Sequence, residues 1–293
     1  TIRSGYSTAT SSGNLYMRTA NAGTAGVSGQ LVLSSGSTTS GNSGAVYLGS
    51  GQATGGRSGG VYIAAGSGNT GSGGNVQVRA GTSSAASGGS IDIAGGVSTL
   101  ATAGSSGGDV TIRSGFSVGF SSGNLYVRTA NAGAAGSTGQ LVLSSGSATT
   151  GASGTVYLGS GRSTSSTAGG VYVTAGSGTG VGGNVLVRAG TSSGNVGGAL
   201  AIAGGVSTAT GASASGGDVT IRSGFSVSTS SGNLYVRTAN GGTGGSTGQL
   251  VLSSGSSTAG NSGAVYLGSG RGVGGTSGGV YVSAGSGATG AGG

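Results

Sequence analysis

Gly59–Gly66 reads GGVYIAAG: two aliphatic residues, Val61 and Ile63, flank an aromatic one, and glycines close both ends. Apolar side chains at alternate positions bounded by turn-forming residues spell a short β-strand. The same figure recurs about every 15 residues. Its centres in the first long cycle are Leu15–Met17, Leu31–Leu33, Val46–Leu48, Val61–Ile63, Val76–Val78, Ile91–Ile93 and Val110–Ile112. The spacings are 16, 15, 15, 15, 15 and 19, and a further 15 leads to Leu125. The second cycle starts at Leu125, Leu141, Val156, Val171, Val185, Leu200 and Val219, and a third opens at Leu234. Seven short units thus make one long repeat of 110 and then 109 residues.

Each unit type keeps its own identity. SSGNLYVRTAN stands at Ser121–Asn131 and Ser230–Asn240, with SSGNLYMRTAN at Ser11–Asn21. The domain reading is therefore 1–110, 111–219 and 220–293, two long repeats and part of a third in one continuous array. Fixed short periods mark solenoids and arrays. A unit of ~15 residues is too short for a propeller blade or a helical pair. The expected fold is all-β: a thin parallel β-solenoid, one strand across and one Gly-rich return per coil, rising ~4.8 Å per coil and ~34 Å per seven. An antiparallel meander is the second choice. In the solenoid, Val61 and Ile63 form a slender core and neighbouring coils supply the rest of the stability.

Composition narrows the function classes. Of 293 residues 76 are glycine, and there is no Pro, Cys, His, Trp, Lys or Glu. Without Gly-X-Y periodicity or proline the chain is not collagen. Regular placement of the apolar residues argues against a flexible linker. No His, Cys, Lys or Glu exists to serve as base, nucleophile or zinc ligand, so an enzyme is not expected, nor a cofactor or metal. Of the three carboxylates, Asp109 and Asp218 are equivalent positions one long repeat apart and cannot act as a pair. GGSIDIAGG at Gly88–Gly96 resembles a calcium β-roll nonapeptide, but its Asp92 lies within the strand and most units have no acid. No apolar run reaches the ~18 residues of a membrane helix. The chain starts and stops within a unit, with no capping repeat, which suggests a longer array or end-to-end joining.

The alternate positions should point away from the aliphatic pair. The middle one is tyrosine at Tyr16, Tyr47, Tyr62, Tyr126, Tyr157, Tyr172, Tyr235, Tyr266 and Tyr281. The next is arginine at Arg3, Arg18, Arg79, Arg113, Arg128, Arg188, Arg222 and Arg237. Aromatic residues suit strands and arginines discourage sideways aggregation, so both columns have a plain structural reading. The functional reading is a lateral or glycan-contact face, with the net charge of +8 favouring acidic polysaccharide. Nucleic acid fits that charge less well, because it is spread thinly along the array. Four extra residues in the sixth unit, within Val97–Ser105 and again within Val206–Ala214, place a bulge once per long repeat.

SGQLVLSSGSTTSGNSGAVYLGSG at Ser28–Gly51, with its copies, resembles the very long Gly/Ser/Thr-rich tandem-repeat proteins of stramenopile algae, oomycetes and other protists. That resemblance implies secreted or surface material such as flagellar hairs, wall fibres or extracellular filaments. Independently of it, the Ser/Thr loops offer hydroxyls for O-glycosylation. The expected function is a structural filament at the cell surface or outside it, with other copies of the chain as its partners. The alternative is an adhesin-like stalk that grips acidic polysaccharide through its Tyr/Arg face.

Overall fold

Extended segments and pinched loops alternate along the chain. The structure, a computed structural model, describes residues 1–102, 104–210 and 214–286. It divides into two units, Thr1–Leu143 and Ser144–Gly293, and the same local geometry is found within each.

The β-solenoid is not there. Among the described residues no strand or sheet forms, so the expected ladder of stacked coils has to be corrected. The hydrogen bonds show why. The twelve backbone–backbone bonds of the described residues join partners three to twelve positions apart. A solenoid rung needs partners about one full unit apart, and none of these bonds reaches that far. The backbone donors that do find partners are used inside each loop, which leaves the extended segments without a neighbour to pair with.

The loops close at a fixed place. The residue four positions after each first aliphatic meets the glycine two positions before the next: Thr19 meets Gly29, Ser35 meets Gly44, and Ala65 meets Gly74. The same contact closes each loop from Ser4–Gly13 to Ser254–Gly263, and Gly278 alone of these glycines stands in open space. Each closure makes a small Ω-like loop, whose ends lie together while its middle bulges out. Small residues at both ends are what permits the approach. A Cβ on Gly74 would stand 3.1 Å from that of Ala65, and one on Gly108 only 2.9 Å from the amide nitrogen of Gly96.

Two kinds of bond lock the pinch. In the first and second units of the first long repeat a hydroxyl reaches across: Thr19 Oγ1 donates to the Gly29 carbonyl at 3.2 Å and Ser35 Oγ to that of Gly44 at 2.7 Å. From the fourth to the seventh unit the glycine N–H itself donates, as from Gly74 to Gly66 at 2.9 Å and from Gly123 to Gly115 at 3.0 Å. Further out, a serine seven positions after the first aliphatic of its unit tightens the bend. Ser117 Oγ accepts the N–H of Phe120 and Ser226 Oγ that of Thr229, as Ser and Thr do in turns. In the second unit the chain leaves the pinch through a left-handed glycine, Gly36, Gly146 or Gly255, with φ of 58°, 71° and 49° in the three copies. That conformation is natural to glycine and costly for other residues.

The pinch, not the aliphatic pair, is the least exposed part of the molecule. Fifteen described residues are partly buried; each is either a loop-base residue, such as Thr19, Ser35 or Ala80, or one of the bend serines Ser7, Ser117, Ser163 and Ser226. No described residue is fully buried. Val61 and Ile63, the expected core, remain 49% and 70% exposed. The chain presents 28207 Å² to solvent. A folded chain of its mass would present about 10,600 Å² and a fully extended one about 38,000 Å². The reason lies in the contacts: the loops close on themselves, and no described aliphatic side chain is covered by another segment.

Candidate interaction face

The nine tyrosines of the middle positions all project into solvent, but in two distinct settings. In the first unit an asparagine two positions earlier lies on the same face of the segment. Asn14 Nδ2 donates to the Tyr16 hydroxyl at 3.3 Å, Asn124 to Tyr126 at 3.2 Å and Asn233 to Tyr235 at 3.1 Å. These three rings are 78–81% exposed. In the third and fourth units the residue two positions earlier is alanine, glycine or, before Tyr157, threonine, and none of them carries the side-chain amide that reaches the ring hydroxyl in the first unit. Tyr47, Tyr62, Tyr157, Tyr172, Tyr266 and Tyr281 are accordingly 91–94% exposed. In the fourth unit the ring lies over the preceding glycine. A Cβ on Gly60 would meet the Tyr62 ring at 3.0 Å, and one on Gly279 the Tyr281 ring at the same distance.

The arginines Arg18, Arg79, Arg113, Arg128, Arg188, Arg222 and Arg237 are exposed, and each immediately precedes a loop-base residue. They therefore sit at the mouths of the pinched loops. Arg128–Asn131 and Arg237–Asn240 line shallow concavities at equivalent places in the second and third long repeats. Tyr16 and Arg18 of the first unit line one small depression, and Arg3 and Tyr6 of the loop before it line another. Outside the first unit the middle-position tyrosines and the arginines that precede a loop base belong to different units, while Arg57, Arg162 and Arg271 lie in the loop that follows Tyr47, Tyr157 and Tyr266. With no ladder among the described residues, no rung spacing sets Tyr47 against Tyr62 or Arg113 against Arg128.

The sixth-unit insertion falls partly outside the described residues, at 103 and 211–213. A second recurrent feature lies at the tip of the seventh loop. Tyr6, Phe116 and Phe225 occupy equivalent positions and are 86–88% exposed, with Val118, Phe120 and Val227 beside them. The signal for it is the same long repeat that sets out the tyrosines. It is easily passed over, because an aromatic residue in a loop breaks no strand pattern.

Among the described residues no group of three or more His, Cys, Asp or Glu could hold a metal, and no helix is long and apolar enough to cross a membrane. Fold and face together define a class: a tandem-repeat chain of exposed extended segments tied by pinched loops. Comparison with protein-family models, curated proteins and solved structures returns no match.

Proposed function

We propose that the chain is a structural protein that works by assembly, building an extended array at the cell surface or outside it from many copies of itself. One observation carries the reading. Aliphatic and aromatic side chains recur in a fixed register of about 15 residues, and not one described residue is buried. Ordering a chain costs on the order of 1.5 kcal/mol per residue, and apolar burial is the main term that offsets it. A chain that keeps its apolar rows outside must gain that burial from a neighbour. Another copy has rows of the same spacing, so contacts formed at one unit are repeated at the next. Large exposed apolar surfaces mark interaction sites for the same reason. The resemblance to surface and extracellular repeat proteins supports the location.

Sedimentation of the purified chain across a wide concentration range tests assembly. The expected result is a particle mass that climbs with concentration. A monodisperse monomer throughout would rule the proposal out. Labelling intact source cells with a reagent that cannot cross membranes tests location, and the chain should be labelled without lysis.

The recurrent concavity at Arg128–Asn131 and Arg237–Asn240 favours a second role, the holding of an acidic polysaccharide. Retention on such a polysaccharide should weaken with salt, because exposed charges are screened within about 8 Å at physiological ionic strength. It should also fall when Arg128 and Arg237 are replaced by alanine. Retention that ignores both changes argues against it.

A further inference from the structure

We infer that Tyr47, Tyr62, Tyr157, Tyr172, Tyr266 and Tyr281 are sites of oxidative phenol coupling, through which a peroxidase-class oxidant with hydrogen peroxide ties one copy of the chain covalently to another. The inference rests on the assembly reading, because coupling between copies needs neighbouring copies.

Three observations converge on these residues. Their rings are the most exposed of the middle-position tyrosines, and the described side-chain hydrogen bonds leave their hydroxyls without the asparagine donor that the first-unit tyrosines have. A donor bonded to a phenol oxygen makes one-electron loss harder, since that oxygen loses electron density in the radical. Asn14, Asn124 and Asn233 therefore hold back Tyr16, Tyr126 and Tyr235. The second observation is placement. The six occur as three pairs in consecutive units, 47 with 62, 157 with 172 and 266 with 281, each 15 residues apart and repeated with the long period. Copies lying in register bring many phenols together at once. The third is the near absence of competitors. The chain has no Cys, Trp or His, and its single Met is Met17. Thiol, indole and imidazole cannot divert the oxidant.

The chemistry balances. Each of two phenols gives up one electron and one proton to become a phenoxyl radical. The two radicals join through carbons ortho to their hydroxyls, and each ring then moves its ortho hydrogen to oxygen to restore the phenol. Two tyrosines and one hydrogen peroxide give one dityrosine and two waters. Hydrogen peroxide takes both electrons and both protons as its O–O bond breaks, and no bond of the chain breaks beyond the O–H and ortho C–H bonds of the two rings. In the fourth unit one ortho carbon, Cε2, is the edge that rests over the glycine. Coupling there uses the opposite edge.

Tyr6 is also exposed, but Phe116 and Phe225 take its place in the later copies. The test therefore starts from Tyr6→Phe, so that all three seventh loops carry phenylalanine. Chains of two isotopic labels are mixed at a concentration where sedimentation shows assembly, then treated with horseradish peroxidase and hydrogen peroxide and mapped by mass spectrometry. The expected products are mixed-label dityrosine peptides at the six positions. Tyr→Phe at all six should reduce dityrosine fluorescence to the level seen without peroxidase, whereas Tyr→Phe at 16, 126 and 235 should leave most of it. Phenylalanine keeps the ring, so sedimentation before oxidation should be the same for all three proteins. Same-label pairs alone, or coupling spread equally over first-unit tyrosines, would overturn the inference while assembly stood. Absence of assembly before oxidant is added would instead overturn the reading beneath it.

Discussion

Replacing Ile63, Val173 and Val282 together with aspartate is expected to raise the concentration at which the chain assembles about a thousandfold or more. These residues hold the third position of the fourth unit in the three long repeats, and they are 70%, 72% and 85% exposed. Their equivalents before the tyrosine are more sheltered by their own chain, so the third position has the most to gain from a partner. Fully burying such a side chain contributes ~1.5–3 kcal/mol. With most of each side chain open, three of them amount to about 4 kcal/mol, and each 1.4 kcal/mol is tenfold in affinity. Burying a carboxylate without a partner adds a further cost in the same direction. The charge change taken alone works the other way. Three aspartates bring the net charge of +8 closer to neutral, which eases association. Aspartate at the loop positions Thr54, Thr164 and Thr258 makes the same charge change on exposed polar sites and should leave assembly unchanged or slightly stronger. Sedimentation of the two triple variants beside the parent reads the difference. Equal behaviour of the two would show that these aliphatic rows play no part in association.

How far the sequence discloses this arrangement depends on which residues are asked. The unit of about 15 residues, the seven unit types and the places of the tyrosines and arginines are all legible, because they are counts along the chain. The alternation in Val61-Tyr62-Ile63 predicts a buried core face, and here the physics is incomplete. Period-two alternation shows that an extended segment has an apolar side in need of cover. It does not show whether the cover comes from the next unit or from elsewhere. A parallel ladder is the economical expectation, since it would pair every backbone group within one chain. The small residue at the end of each segment and the glycine before the next are also visible, at Thr19 and Gly29 or Ala65 and Gly74. In a solenoid both would be corners of a coil. Their real partnership is with each other, and once they pinch the loop shut the local glycine bonds displace the rung. The asparagine–tyrosine bond is equally open to reading: NLY recurs at 14–16, 124–126 and 233–235, and residues two apart on an extended segment share a face.

Alanine at both Gly95 and Gly204 is expected to open the long sixth loop of its repeat. The sixth unit is exceptional in having glycine at the loop-base position, where other units have serine, threonine or alanine. The structure supplies the reason. A Cβ at Gly95 would overlap the carbonyl oxygen of Gly108, and one at Gly204 that of Gly217. Neither obstacle is a flexible side chain that can swing aside; each is backbone, tied by the bond that closes the loop. That bond is Gly108 N–H to the Gly96 carbonyl at 2.8 Å, and Gly217 to Gly205 at 2.8 Å. Forcing a methyl group into a closed site costs ~1–3 kcal/mol. The closing hydrogen bond contributes only about 1 kcal/mol net. The methyl group therefore wins, and the pinch separates. Amide hydrogen exchange followed by NMR reads this directly. The Gly108 and Gly217 amides should lose their protection in the double variant, while those of Gly74 and Gly123, which close other loops, keep theirs. Alanine at Gly51 and Gly161, where a Cβ meets nothing within 4 Å, is the matched control and should change none of the four. Undiminished protection at Gly108 and Gly217 in the Gly95→Ala, Gly204→Ala variant would mean that the loop base is not closed as described. The chain would then lack its pinch at the place where the backbone approaches itself most closely.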